Sequence, residues 1–311
     1  MEQCNQTTTI AFVFQGFSRE QSTNLCLFSI FLSMYLVTLA GNTVIITAIH
    51  TDSRLSTPMY FFLSNLSFLD ICYTTSVVPQ LLVHFLSSQK TISFKRCMAQ
   101  LYISLSLGGI EFILLAAMAY DRYVAVCHPL HYMAIMSRRV CIQMALLSWM
   151  GGFFNALVQT VFTMHLRFCH FNTINHFACE LLAVIKVACS DTFVNEIVIV
   201  VAGVIVLLIP CIVVMLSYVY IICAILRIRS SEGRHKAFST CTSHLTVVTL
   251  CYGTAIFAYM SPKANTSPNQ DKMVSIVYAV VTPMLNPIIY SLRNKEVKGA
   301  LSKAVRKNGL L

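Results

Sequence analysis

Seven apolar stretches, at about residues 25–49, 58–79, 98–121, 140–161, 196–226, 238–260 and 272–292, constrain this chain more than any motif in it. A bilayer's hydrocarbon core is ~30 Å thick, and a helix needs roughly 20 apolar residues to cross it. Lipid offers no partner for a bare amide, so each crossing must satisfy its own backbone hydrogen bonds, and helices do that. With 57% apolar residues, 11% charged ones and a mean hydropathy of +0.71, the 311 residues are too apolar for a soluble domain. The expected fold is an all-α membrane protein, a seven-transmembrane helix bundle. It divides into an N-terminal arm (1–24), the membrane domain (25–292) and a tail (293–311). The arm lacks the apolar core of a signal peptide, so the first span is expected to serve also as targeting signal.

Seven crossings put the two termini on opposite sides, and the basic residues choose between the sides. Fourteen of the 22 Lys and Arg fall in the loops near 50–57, 122–139 and 227–237 and in the tail, among them Arg138, Arg139, Arg227, Arg229, Arg234 and Lys236. Eight fall on the other side. Positive charge stays inside, which predicts a multi-pass plasma-membrane protein with an extracellular N-terminus and a cytoplasmic C-terminus. The net charge of +10 then fits a cytoplasmic face against anionic lipid and an acidic protein partner, with no nucleic acid implied. In the tail, Val297, Ala300, Leu301, Ala304 and Val305 recur at helical spacing among basic residues. This predicts a short amphipathic eighth helix on the membrane surface.

Of thirteen cysteines, Cys4, Cys97, Cys169, Cys179 and Cys189 are assigned to the oxidising side. Cys97 opens the third span, and Cys169, Cys179 and Cys189 punctuate a long loop, 162–195, that is a lid candidate over the bundle. Spacing leaves the pairing open, and it also leaves a metal reading for Cys169, His170, His176 and Cys179. Three Asn-x-Ser/Thr sequons occur, at Asn5, Asn65 and Asn265. Asn65 lies within the second span and Asn265 in a short loop at the bilayer, which leaves Asn5 as the glycosylation candidate.

Ionisable residues in a membrane are costly and mark function. Asp70 lies twelve residues beyond Pro58, about 18 Å of helix, and Glu111 lies eleven residues before Arg122 on the same face of span three. Both are placed near the midplane. Either they hold a sodium ion or a proton that biases a resting state, or they form a protonated pair that specifies packing. Asp121 and Arg122 end span three at the membrane edge. No nucleophile with a base accompanies them, which argues against an enzyme. Neither repeats nor a continuous polar stripe point to a transporter or channel.

The run Met118-Ala119-Tyr120-Asp121-Arg122-Tyr123-Val124-Ala125-Val126-Cys127-His128-Pro129-Leu130-His131-Tyr132 resembles the signature of odorant receptors, a family of rhodopsin-like G-protein-coupled receptors. Further motifs follow in order: Gly41-Asn42; Pro58-Met59-Tyr60-Phe61-Phe62-Leu63-Ser64-Asn65-Leu66-Ser67; Ser217-Tyr218; Lys236-Ala237-Phe238-Ser239-Thr240-Cys241-Thr242-Ser243-His244-Leu245; and Pro283-Met284-Leu285-Asn286-Pro287-Ile288-Ile289-Tyr290. Ser56 and Cys251 depart from the family's usual His and Phe, and Gly253 stands in span six where many rhodopsin-like receptors have proline. Extracellular loop lengths resemble the tetrapod branch, class II.

The resemblance implies an odorant receptor that binds a small volatile, mostly hydrophobic ligand in the extracellular half of the bundle and activates a heterotrimeric stimulatory G protein to raise cAMP; the alternative is a non-olfactory metabolite sensor of the same type. It implies coupling and switch roles for Asp121, Arg122, Tyr123, Tyr218, Asn286, Pro287 and Tyr290, and disulfides Cys97–Cys179 and Cys169–Cys189. Asn42 and Asn286 would then stand near Asp70 and Glu111, where sodium is the one ion to consider and no other cofactor is expected. The ligand pocket is expected at Leu101, Ser104, Leu105, Gly108 and Gly109 of span three and Ala202, Gly203 and Val206 of span five. Tyr252, Ala255, Ile256 and Tyr259 of span six and Ile276 and Ala279 of span seven complete it. Ser104 stands where amine receptors of the wider family carry an aspartate, so span three offers a protonated amine no counter-ion at that position.

Overall fold

A computed structural model describes residues 11–17, 20–87, 89–168, 173–228, 230–260, 268–293 and 299. Seven helices in it are long and apolar enough to cross a membrane. They are α1 (Gln21–Thr51), α2 (Pro58–Leu86), α3 (Phe94–Cys127), α4 (Arg138–Met164), α5 (Phe193–Leu226), α6 (Ser231–Met260) and α7 (Pro268–Ile276, then Val277–Val281 and Thr282–Arg293). Most run a few residues past the apolar stretches, because a helix keeps its hydrogen-bond ladder after it leaves hydrocarbon. Local chemistry sets several starts. Pro58 opens α2 at a position whose N–H would be unpaired anyway, while Ser93 and Ser137 cap α3 and α4 by accepting from the amides of Arg96 and Val140.

The bundle buries a set of polar side chains among its apolar core and turns apolar side chains outward. Asn42, Asp70, Thr74, Ser106, His244 and Asn286 are buried, whereas Leu147, Met150, Phe154, Ile212 and Met215 face outward. Lipid is as apolar as leucine, so helices associate through close packing and polar contacts instead of apolar burial. Trp149 of α4 donates to Asn65 of α2 at 3.3 Å, and Asn42 of α1 donates to the Pro283 carbonyl of α7 at 3.1 Å. At Gly152 the α3–α4 seam is at its tightest: a Cβ there would press into the Ile110 side chain and come within 2.7 Å of the Ser106 carbonyl oxygen. Backbone cannot yield as a side chain can. Gly152→Ala is therefore expected to cost at least ~1–3 kcal/mol of overpacking and to lower surface expression, read by labelling an N-terminal tag on intact cells. Gly108→Ala, where a Cβ meets nothing within 4 Å, is the matched control.

Two helices carry a π turn, Val204–Leu208 in α5 and Val277–Val281 in α7. Each precedes a proline, Pro210 and Pro283, whose ring clashes with the carbonyl four residues back and removes one amide donor. Widening the turn relieves that clash.

At the end of the bundle that carries the N-terminus, a three-stranded sheet in the order β2-β1-β3 forms a cap. β1 (Ala11–Phe14) runs antiparallel to β2 (Thr91–Ser93), with Phe12 opposite Ile92, and parallel to β3 (Thr173–Ile174), with Phe14 opposite Ile174. The arm is thus only partly free. Phe12 and Phe14 alternate with exposed residues, and their rings are buried beside Ile92, Cys97 and Leu101, a period-two pattern hidden in an otherwise polar segment. Asn5 and the expected eighth helix lie outside the described residues.

Candidate ligand cavity and cytoplasmic-type switch

Beneath the cap lies a cavity of about 130 Å³ bounded by α2 to α7 and by the loop between α4 and α5. A dry cavity of about 150 Å³ holds benzene, so this volume suits ligands of roughly six to ten heavy atoms. Leu101, Ser104, Leu105, Gly108, Gly109, Ala202, Gly203, Val206, Ala255 and Ala279 all line it, as the sequence places them. Tyr252, Ile256 and Ile276 do not. The Tyr252 hydroxyl turns to the Phe112 carbonyl at 2.7 Å, and Ile256 and Ile276 pack into neighbouring clusters. The Tyr259 side chain lies outside the described residues. In their place α6 presents Cys251, Ala255 and Ala258, spaced i, i+4, i+7, and α7 presents Ser275, Tyr278, Ala279 and Thr282.

Sequence reasoning missed two walls. Asn155 and Gln159 come from α4, and His176 to Leu181 come from the loop. The loop is tied down by the Cys97–Cys179 disulfide and by Gln100, which accepts from the Cys179 amide at 3.0 Å and donates to the Ser76 carbonyl at 3.0 Å. Because Cys179 is bonded to carbon-borne sulfur, it is no metal ligand, and among the described residues no group of three His, Cys, Asp or Glu could hold a metal ion. Cys189 is also disulfide-bonded; Cys169 lies outside the described residues. The other described cysteines are free thiols.

The loop's polar side chains form one cluster. The Glu180 carboxylate accepts from Nε2 of His176 at 2.8 Å and from the Ser275 hydroxyl at 2.7 Å, with Tyr278 as a further donor. Burial alone would raise the Glu180 carboxyl. The adjacent His176 ring and the hydrogen bonds from His176, Ser275 and Tyr278 outweigh it and hold the group below its ordinary value.

Deeper in the bundle stand two carboxyls, Asp70 of α2 and Glu111 of α3. Asp70 is fully buried and accepts from Nδ2 of Asn286 at 3.0 and 3.2 Å; Glu111 accepts from the Cys251 thiol at 3.1 Å and also lines the cavity floor. The side-chain oxygens of Asn42 and Asn286 are buried with no hydrogen-bond partner. Orphaned carbonyl-type oxygens beside carboxylates are the donor set of a hard monovalent cation, so these residues fit sodium.

At the far end of α3, Asp121 accepts from the Tyr132 hydroxyl at 2.7 Å and lies 3.9 Å from Nε of Arg122. Burial, then the Asp121 carboxylate, push the Tyr132 phenol above its ordinary range, so it stays a donor. Among the described residues, Arg122 itself finds only the Met59 sulfur, at 3.3 Å, as a hydrogen-bond acceptor. Tyr218 of α5 bonds Nδ1 of His244 of α6 at 2.7 Å. Tyr290 of α7 is buried with its hydroxyl unpartnered, three residues beyond the in-helix Pro287. Tyr123 packs on His128 and Tyr220.

A family model described as olfactory receptor matches residues 31–308. Human olfactory receptor 2F1 is 55% identical over 303 residues, covering 97% of this chain and 96% of its own length. Canine olfactory receptor-like protein OLF3 is 55% identical over 299 residues, covering 96% of this chain and 94% of its own. Mouse olfactory receptor 2C1 is 48% identical over 307 residues, covering 99% and 98%. With seven spans, a loop-covered cavity and these relatives along almost its whole length, the chain belongs to the olfactory receptor family of rhodopsin-like G-protein-coupled receptors: it is an odorant-binding membrane receptor and not an enzyme.

Proposed function

We propose that this receptor takes a small volatile ligand from the outside into the cavity under the 162–195 loop and answers by activating a stimulatory, olfactory-type G protein that raises cAMP. The N-terminus, with a glycan on Asn5, is extracellular and the tail cytoplasmic. One observation carries the reading: a single helix, α3, lines the cavity from Leu101 to Phe112 and runs on through Asp121-Arg122 in its last turns to Cys127. A ligand pressing on its upper half, and on the π turns of α5 and α7, acts on the elements that meet at Arg122. The Tyr218–His244 bond couples α5 to α6, so both move together from α3 and open a cleft bordered by Arg227, Arg229, Arg234 and Lys236. Tyr123, Asn286, Pro287 and Tyr290 complete the switch. The test is a cAMP screen of a broad odorant panel in cells carrying the olfactory G protein; absence of any response at normal surface expression would remove this reading.

Asp70 and Glu111, with Asn42 and Asn286, hold sodium in the resting state. A ligand that prefers one conformer shifts the population toward it, so withdrawing the ion releases that bias. Replacing extracellular sodium with a large organic cation is expected to raise basal or agonist-driven cAMP, and Glu111→Gln to blunt the dependence. Identical dose-response curves in both media would leave a packing pair instead.

A further inference from the structure

The cavity has carboxyl groups at both ends and no lysine or arginine among its lining residues. This rests on the cavity being the ligand site, as proposed above, and sharpens the class of ligand.

Glu180 of the loop is the centre of the polar roof. Nε2 of His176 stands 2.8 Å from its carboxylate, and Nδ1 lies 3.2 Å from the Ala178 amide nitrogen and 3.1 Å from the Ala178 carbonyl oxygen. The Ser275 hydroxyl donates from α7, and Tyr278 is a further donor. These two hydroxyls are dipoles, and they solvate the carboxylate without cancelling its charge. Among the described residues, two lysines at this end of the bundle are committed elsewhere: Lys272 donates to the Gly16 carbonyl at 2.8 Å, and Lys186 pairs with Asp271 at 3.3 Å. Below the roof the walls are apolar for the length of one small ligand, formed by Leu101, Leu105, Ala202, Val206 and Ala255.

We propose that the cavity selects by charge sign: a small amine with an apolar body binds with its ammonium on Glu180, and the isosteric carboxylate is rejected. Ser104 denies span three the counter-ion that amine receptors use, and the loop supplies it instead. Glu180 is already desolvated and held by oriented donors, so little of its own reorganisation is charged to binding. A carboxylate ligand would lose its hydration shell and meet like charge in low dielectric, with no lysine or arginine among the described lining residues to pair with.

Cyclohexylmethylamine, cyclohexylmethanol and cyclohexanecarboxylate share one ring and differ in charge. In cells expressing the full-length receptor, the amine is expected to show an EC50 roughly tenfold below the alcohol, with the carboxylate inactive. Glu180→Gln should remove the preference, so that amine and alcohol show the same EC50 when compared within the variant. The wild-type arm decides even if the variant fails to reach the surface: a carboxylate as potent as the amine overturns the inference. So does an amine preference that survives Glu180→Gln and vanishes in Glu111→Gln. A receptor that answers the broad panel but not the amine also overturns it, while leaving the receptor reading intact.

Discussion

Arg122→Ala is expected to abolish the cAMP response while leaving surface expression largely intact. The reason lies in how lightly the guanidinium is held. Its contacts within the bundle are a sulfur at 3.3 Å and a carboxylate oxygen at 3.9 Å, the latter beyond hydrogen-bond range. A side chain with five donors and so few acceptors is available to a partner. Removing one member of a buried pair costs about 3–5 kcal/mol when the other charge is stranded. Asp121 loses no hydrogen bond here: Tyr132 still donates to its Oδ1 at 2.7 Å, and its Oδ2, buried without a hydrogen-bond partner among the described residues, had none from Arg122 to lose at 3.9 Å. Folding should therefore survive the substitution and coupling should not. Arg122→Lys separates the two further: it keeps the charge and the expression but loses the planar fork, and is expected to lose most of the signal. The readouts are agonist-driven cAMP and cell-surface immunolabelling in the same wells. Signalling at wild-type level with wild-type expression would remove Arg122 from the coupling step.

How much of this was legible beforehand differs by element. The spans were legible because a bilayer imposes one length and one secondary structure on every crossing. The α3 and α5 walls of the cavity were legible too, since Leu101, Ser104, Leu105 and Gly108 sit at regular helical spacing and a straight helix keeps its phase. Phase is what failed on α6 and α7. The Tyr252 hydroxyl reaches the Phe112 carbonyl, which sets the rotation of α6 so that Cys251 and Ala255 face inward instead of Tyr252 and Ile256. On α7 the lining residues Ser275, Tyr278, Ala279 and Thr282 keep i, i+3, i+4, i+7 spacing, and Ile276 lies beside that face and packs into a neighbouring cluster. The loop itself was legible as a lid, but which of its side chains face the cavity was not: His176 and Glu180 have no helical phase to read, and the bond to Cys97 with the contacts to Gln100 and Ser275 places them.

That bond carries the second large expectation. Cys97→Ser and Cys179→Ser should each destroy surface trafficking or the ligand response, and the double variant should be little worse than either one. The disulfide closes a segment with a sequence separation of 82, and the chain-entropy model assigns such a loop about 4.5 kcal/mol. Helices that stay threaded in the bilayer recover part of that, so the figure is an upper bound on stability. The larger loss is positional. Freed from Cys97, the loop keeps Gln100 as an anchor, through one amide bond at 3.0 Å, and a single neutral hydrogen bond contributes only ~1 kcal/mol net. His176 and Glu180 then leave the cavity, Ser275 and Tyr278 lose their acceptor, and buried Cys97 at the start of α3 is left facing space the loop had filled. Either serine removes the whole bond, so the second adds almost nothing, and the coupling energy of the cycle should nearly equal one single-variant effect with opposite sign. Flow cytometry of an N-terminal tag, with cAMP on the surviving surface fraction, measures both losses. Effects that add across the cycle would mean the two sulfurs act independently, and the loop would then be held over the cavity by something other than this bond.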